Sequence, residues 1–315
     1  MKILSSPTLR RTAPAAVAAS VLLAGCGGPL GGESAEGPRV VTSFYPLEYV
    51  AQRVVGDHAE VVNLTSPGQE PHDLEMSLRQ TAEITEADLM VYEAGLQPAV
   101  DEAVAEHGPE HTIEATEVVE LAPLDEAAHE GESAADHEAH ADAEGDLHFW
   151  LDPVRMVEVA TAVQEQMAEV DPDNAGDYAA NLKALREDLE TLDADYRTGL
   201  AECSLDTVVV SHDAFGYLEK YGLHFEPIAG LSPDAEPSPA HLGELAEIIE
   251  EEGITTVFSE SLASPAMAET LARELDVETA VLDPLEGLSD DTADEDYLSL
   301  MRANLDALRT ANGCR

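Results

Sequence analysis

The sequence predicts an α/β protein of two domains, each a mainly parallel, four-stranded type of sheet flanked by helices, with one long rigid helix joining them. Short β-branched runs alternate with helical periods in both halves, Gly, Pro and Ser turns punctuate them, and a long amphipathic stretch without Gly or Pro separates the halves. The chain has 315 residues and is 44% hydrophobic though only 4% aromatic, enough apolar surface for a substantial core.

Taken in order, Arg39 to Ser43 and Ala59 to Leu64 read as strands around a helical stretch from Pro46 to Val55. Asp88 to Tyr92 follows a second helical stretch from Leu78 to Thr85, which completes βαβ punctuation. After Asp171-Pro172, Leu182, Leu185, Leu189, Leu192 and Tyr196 recur every three or four residues up to Gly199, the pattern of a stiff connecting helix. Thr207 to Val210 is then a strand. Ser238-Pro239 supplies an N-cap and first turn for a helix carrying Leu242, Leu245, Ile248 and Ile249 that ends at Gly253. Ile254 to Phe258 is the next strand, Ser264-Pro265 opens a helix with Met267, Leu271 and Leu275 on one face, and Val277 to Leu282 is a further strand. The expected domains are 39–170 and 203–315, with the connector at 171–202.

The first 25 residues read as an address. Lys2, Arg10 and Arg11 precede an apolar stretch from Ala15 to Ala24 that is too short to span a bilayer stably, and Leu23-Ala24-Gly25-Cys26 resembles a bacterial lipobox. Cleavage before Cys26 would place a diacylglyceryl anchor on its thiol and leave residues 26–38 as a flexible tether. The remaining cysteines, Cys203 and Cys314, are expected to pair in such an oxidising compartment. The formal charge of -50, with 65 acidic residues against 15 Lys and Arg, argues against nucleic acid as a partner and favours a cationic one. A solvated surface accounts for most of that acidity.

The candidate chemistry lies at strand ends. His72 lies in Gly68-Gln69-Glu70-Pro71-His72-Asp73 beyond one strand, His212 follows Val208-Val209-Val210-Ser211, and Asp283 follows Val281-Leu282. Ligands of open α/β sheets bind at the carboxyl edge, so these groups are expected to converge in a cleft between the domains. His148 sits in Asp146-Leu147-His148-Phe149-Trp150-Leu151-Asp152-Pro153, beside the only Trp. One loop histidine is weak evidence, but three imidazoles and a carboxylate make a four-coordinate set suited to Zn²⁺, whereas Mn²⁺ prefers more oxygen.

These same segments, together with Ser211-His212-Asp213-Ala214-Phe215-Gly216-Tyr217-Leu218 and Leu282-Asp283-Pro284-Leu285, resemble the ABC-transporter solute-binding proteins that take up zinc or manganese, in particular the zinc members, from about Val40 to the C-terminus. The resemblance implies two α/β domains on a rigid helix, a metal in the cleft, and delivery to a membrane permease with its ATPase by a lipid-anchored monomer at the extracytoplasmic face. It implies His72, His148, His212 and Asp283 as ligands, with Glu70 and Glu260 as substitutes for the fourth position; Glu260 is equally suited to hydrogen-bonding a ligand imidazole. Manganese-type relatives commonly carry Glu where this chain has His212, so a third imidazole points to zinc.

The tract 125–146, with His129, His137 and His140 among many carboxylates and no apolar period, is expected to be a solvent-exposed insertion that binds additional zinc weakly beside His148. Two alternatives differ in kind: a zinc hydrolase, disfavoured by the absence of an HExxH helix, nucleophile elbow or phosphate loop, and an adhesin or metal buffer with the same fold.

Overall fold

The computed structural model describes residues 37–123, 145–233 and 235–315, so Cys26, the leader and most of the His-rich tract, including His129, His137 and His140, lie outside the described residues. In the first half, β1 (Arg39–Thr42), α1 (Tyr45–Val55), β2 (Glu60–Asn63), α2 (Leu78–Thr85), β3 (Leu89–Tyr92), α3 (Pro98–His107) and β4 (Thr112–Glu114) form a parallel sheet of order β2-β1-β3-β4. Two long helices follow, α4 (Pro153–Val170) and α5 (Ala175–Gly199). The second half comprises β5 (Thr207–Val210), β6 (His224–Pro227), α6 (Pro239–Glu252), β7 (Thr256–Ser259), α7 (Ala266–Leu275), β8 (Glu278–Val281) and α8 (Tyr297–Ala311), with a second parallel sheet of order β6-β5-β7-β8.

Both sheets are covered on both faces, so their inner strands are continuous apolar runs. Val40 faces a large core shared with α1, α4 and α5, while its neighbour Val41 faces a second cluster with Ile84, Met90 and Val100. Val208 and Val210 join the large core, whereas Val209 turns to Leu245, Ile249 and Leu271. In each sheet the chain reverses its direction of growth beside the first strand, at β1 and β5, and loops from the carboxyl ends there meet.

The connecting helix serves both halves. Leu182, Leu185, Leu189, Leu192 and Tyr196 are all buried, and α5 packs on α1, α4 and α8. Asn181 Nδ2 donates to the Val54 carbonyl of α1 (3.0 Å), Arg53 pairs with Asp188 (2.6 Å), and Tyr196 donates its hydroxyl to the Met301 carbonyl of α8 (2.7 Å). Met267 departs from the expected pattern: it is 37% exposed, while α7 buries Leu271 as expected, together with Ala268 and Ala272. The described residues form one compact unit, because the large core runs without interruption from Val40 and Trp150 to Phe258 and Met301.

Cys203 and Cys314 form a disulfide that closes the second half on itself, 111 residues apart in sequence. Cross-linking so long a loop restricts the unfolded chain strongly. The Cys203→Ser/Cys314→Ser variant is expected to lose about 2–5 kcal/mol of unfolding free energy, read as an earlier urea midpoint.

Candidate metal centre

Four side chains from four different loops converge where the two sheet edges face each other. His72 lies in the loop after β2, held by a hydrogen bond from its backbone N–H to Glu70 Oε1 (3.2 Å) and by Gln97, whose side-chain amide donates to the Pro71 carbonyl (3.2 Å) and Thr65 Oγ1 (3.0 Å). His148 precedes a short turn, Phe149–Leu151, of which every side chain is buried. His212 follows β5 and is fully buried. Glu286, also fully buried, comes from the loop after β8.

The ligand-type atoms of His72, His148, His212 and Glu286 lie within 4.8 Å of one another. Glu286 Oε1 is 3.5 Å from His72 Nε2, 3.6 Å from His148 Nε2 and 3.3 Å from His212 Nε2. Zinc–nitrogen bonds of about 2.0–2.1 Å in a tetrahedron put neighbouring donors about 3.3 Å apart, so these separations already approximate the edges of a zinc polyhedron. Nε2 of His148 and His212 and both Glu286 oxygens are buried without a hydrogen bond, a state that a bound cation would resolve.

The opposite edges of two rings are fixed by carboxylates. His148 Nδ1 is 2.8 Å from Asp146 Oδ1, which also accepts the His148 backbone N–H (2.9 Å). His212 Nδ1 is 3.0 Å from Glu260 Oε1. A carboxylate at Nδ1 keeps the proton there and turns the Nε2 lone pair to the centre. Glu260 therefore stands behind His212, and Glu70 behind the His72 backbone.

The fourth member is not Asp283. Both of its oxygens are engaged, Oδ2 by the Ser261 hydroxyl (2.6 Å) and Oδ1 by the Leu285 N–H (2.7 Å), and its backbone is bracketed by Asn304, which accepts the Asp283 N–H (2.9 Å) and donates to its carbonyl (2.6 Å). The next carbonyl, of Pro284, accepts the Trp150 indole N–H (2.7 Å). This bracket holds Leu285 at φ 60°, a left-handed conformation that a bulky side chain adopts only under such constraint, and the turn delivers Glu286 to the histidines. Asp283 shapes the turn that presents Glu286.

Electrostatics follow from burial. Desolvation pushes the Glu286 carboxyl up, but His72 and His212 outweigh it and hold it well below the usual range. Burial likewise pushes His212 down, and Glu260 and Glu286 reverse this and raise it well above an ordinary imidazole. Burial, with Glu286 nearby, pushes Glu70 up to about 8.

A family model described as "ZnuA: Zinc-uptake complex component A periplasmic" matches residues 40–311. The chain belongs to this family. It is 37% identical over 300 residues to the high-affinity zinc uptake system protein ZnuA of Bacillus subtilis (strain 168), covering 92% of this chain and 93% of that protein. It is 38% identical over 276 residues to the zinc-binding lipoprotein AdcA of Streptococcus pneumoniae (strain ATCC BAA-255 / R6), covering 86% of this chain. The chain spans only 55% of the length of that streptococcal relative. The crystal structure of the Zn(II)-bound ZnuA-like domain of Streptococcus pneumoniae AdcA superposes with a TM-score of 0.72 at 35% identity, covering 88% of this chain and 99% of that one.

One further acid lies just past β3. Glu93 is fully buried with no hydrogen bond to either oxygen, and burial, reinforced by Glu114 and Asp146, pushes its pKa well above the ordinary carboxyl value. A carboxyl raised on folding contributes stability below its unfolded pKa and loses it as the pH rises through the folded value. Glu93→Gln is therefore expected to be more stable than the wild type at about pH 7.5, with the difference closing toward about pH 4, measured by urea unfolding at both.

Proposed function

We propose that this chain captures Zn²⁺ outside the cytoplasm and hands it to the permease of an ABC uptake system, anchored at the membrane through Cys26. The observation that carries this reading is the spacing of His72, His148, His212 and Glu286 about one point. Neutral imidazole donors with a single carboxylate suit Zn²⁺ better than Mn²⁺, and the absence of thiolate suits a cargo that must be released. Membership of a zinc-uptake family supports the role and the permease partner. Four protein donors leave no coordination position for a substrate, which argues against a hydrolase. His129, His137 and His140 are auxiliary collectors in this reading.

Binding requires every imidazole to be unprotonated. His72 and His212 hold a proton more firmly than ordinary imidazoles once burial is offset by Glu286 and, at His212, Glu260, so protons compete from above the usual value of about 6.5. Competitive titration with a chromogenic chelator is expected to show affinity falling steeply as the pH drops through that range. His212→Ala and Glu286→Ala are each expected to lose more than about a hundredfold in affinity, beyond the 10–100-fold typical of outer partners, and Asp283→Ala to fall within that range. Manganese copurifying with the native protein, or normal loading of His212→Ala, would refute the zinc assignment. Deleting residues 125–144 is expected to lower zinc stoichiometry by weak sites while leaving the tight site intact.

A further inference from the structure

We propose that Tyr217 is a positioning residue for the ligand His148, acting through Asp146. The inference rests on the zinc site described above and extends it to a residue that touches no ligand-type atom of that site. Tyr217 lies in the short turn Gly216–Tyr221, in the same loop that begins with His212, and is 4% exposed. Its hydroxyl accepts the Ala122 N–H (2.9 Å) and donates to the Asp146 carbonyl (2.6 Å). Ala122 and Asp146 are themselves joined by an isolated antiparallel bridge in which Asp146 N–H donates to the Ala122 carbonyl (2.8 Å). The hydroxyl therefore closes a three-cornered clamp on the residue whose carboxylate holds both the ring and the backbone of His148.

The clamp has little freedom. The Arg155 guanidinium lies over the Tyr217 ring at 5.1 Å from its centroid, and Arg155 is held in turn by Asp152 (3.6 Å) and the Glu120 carbonyl. Two glycines make the close approach sterically feasible. A Cβ on Gly145 would lie 2.5 Å from the Ala122 carbonyl oxygen, and one on Gly216 would lie 3.0 Å from Asp146 Oδ2. Because Tyr217 belongs to the loop of His212 and Asp146 to that of His148, the hydroxyl fixes two imidazoles from opposite halves relative to each other.

Tyr217→Phe removes both hydrogen bonds and keeps the ring beneath Arg155. It is expected to weaken zinc binding about tenfold, at the low end for an outer partner, and to speed zinc loss to a chelator. It is also expected to shift the His148 ring signals in long-range ¹⁵N–¹H spectra of the zinc-loaded protein while leaving those of His72 in place, a signature that general loss of stability would not give. Gly145→Ala, which crowds the Ala122 carbonyl and keeps the Tyr217 side chain, is expected to give the same pattern. Zinc affinity and His148 signals unchanged in Tyr217→Phe would overturn the proposal while leaving the zinc site standing. If Tyr217→Phe does not fold, Gly145→Ala decides, and unfolding of both assigns the clamp to stability and also overturns the proposal. A wild-type chain that takes up no zinc defeats the site and this inference together, and is recognised by the wild type alone.

Discussion

A charged carboxylate with no exposure to water is the constraint around which this molecule is arranged. Glu286 is buried at the meeting of two sheet edges, where an isolated anion would be prohibitively unfavourable, and it persists there because imidazoles surround it. Its position depends in turn on the bracket of Asp283, Asn304 and Ser261 and on the Trp150 indole, which reaches across from the other half to the Pro284 carbonyl. Tyr297 completes that crossing by donating to the Trp150 carbonyl (2.6 Å). The aromatic beside His148 thus carries information about the position of Glu286.

The fold makes this convergence economical. Parallel sheets place all their carboxyl ends on one side, and two such sheets joined by α5 and a shared core direct both sets of loops to one place. The halves are further bonded by Lys220, which contacts Asp152 at the start of α4 and Asp193 of α5. Contacts of this kind favour a site whose donors are preorganised, with adjustment confined to loops.

Much of this was legible in the sequence. The apolar period from Leu182 to Tyr196 specified the connector, and β-branched runs specified the inner strands. β4 and β6 were not, because Thr112–Glu114 is too short for a period and His224–Pro227 mixes charge with proline. His72 and His212 could be found because imidazoles beyond strand ends are chemically conspicuous, His148 because it stands beside the only Trp, and the dual assignment of Glu260 allowed for a hydrogen bond to an imidazole, which the structure places at His212. The fourth member was missed: Asp283 was expected, with Glu70 and Glu260 as substitutes, and Glu286, three residues further on, was not among the candidates. What separates Asp283 from Glu286 is a left-handed turn at Leu285 and the use of both Asp283 oxygens by local donors, neither of which leaves a signature in the order of residues.

The bridge between Ala122 and Asp146 has an evolutionary meaning. Where two strands of the chain are pinned side by side and one of them is bonded onward to His148, the length and composition of whatever connects them are decoupled from the position of that imidazole. Such a place is a natural splice junction. A lineage can lengthen, shorten or recompose the tract between Pro123 and Gly145 without moving the four side chains that converge beyond it.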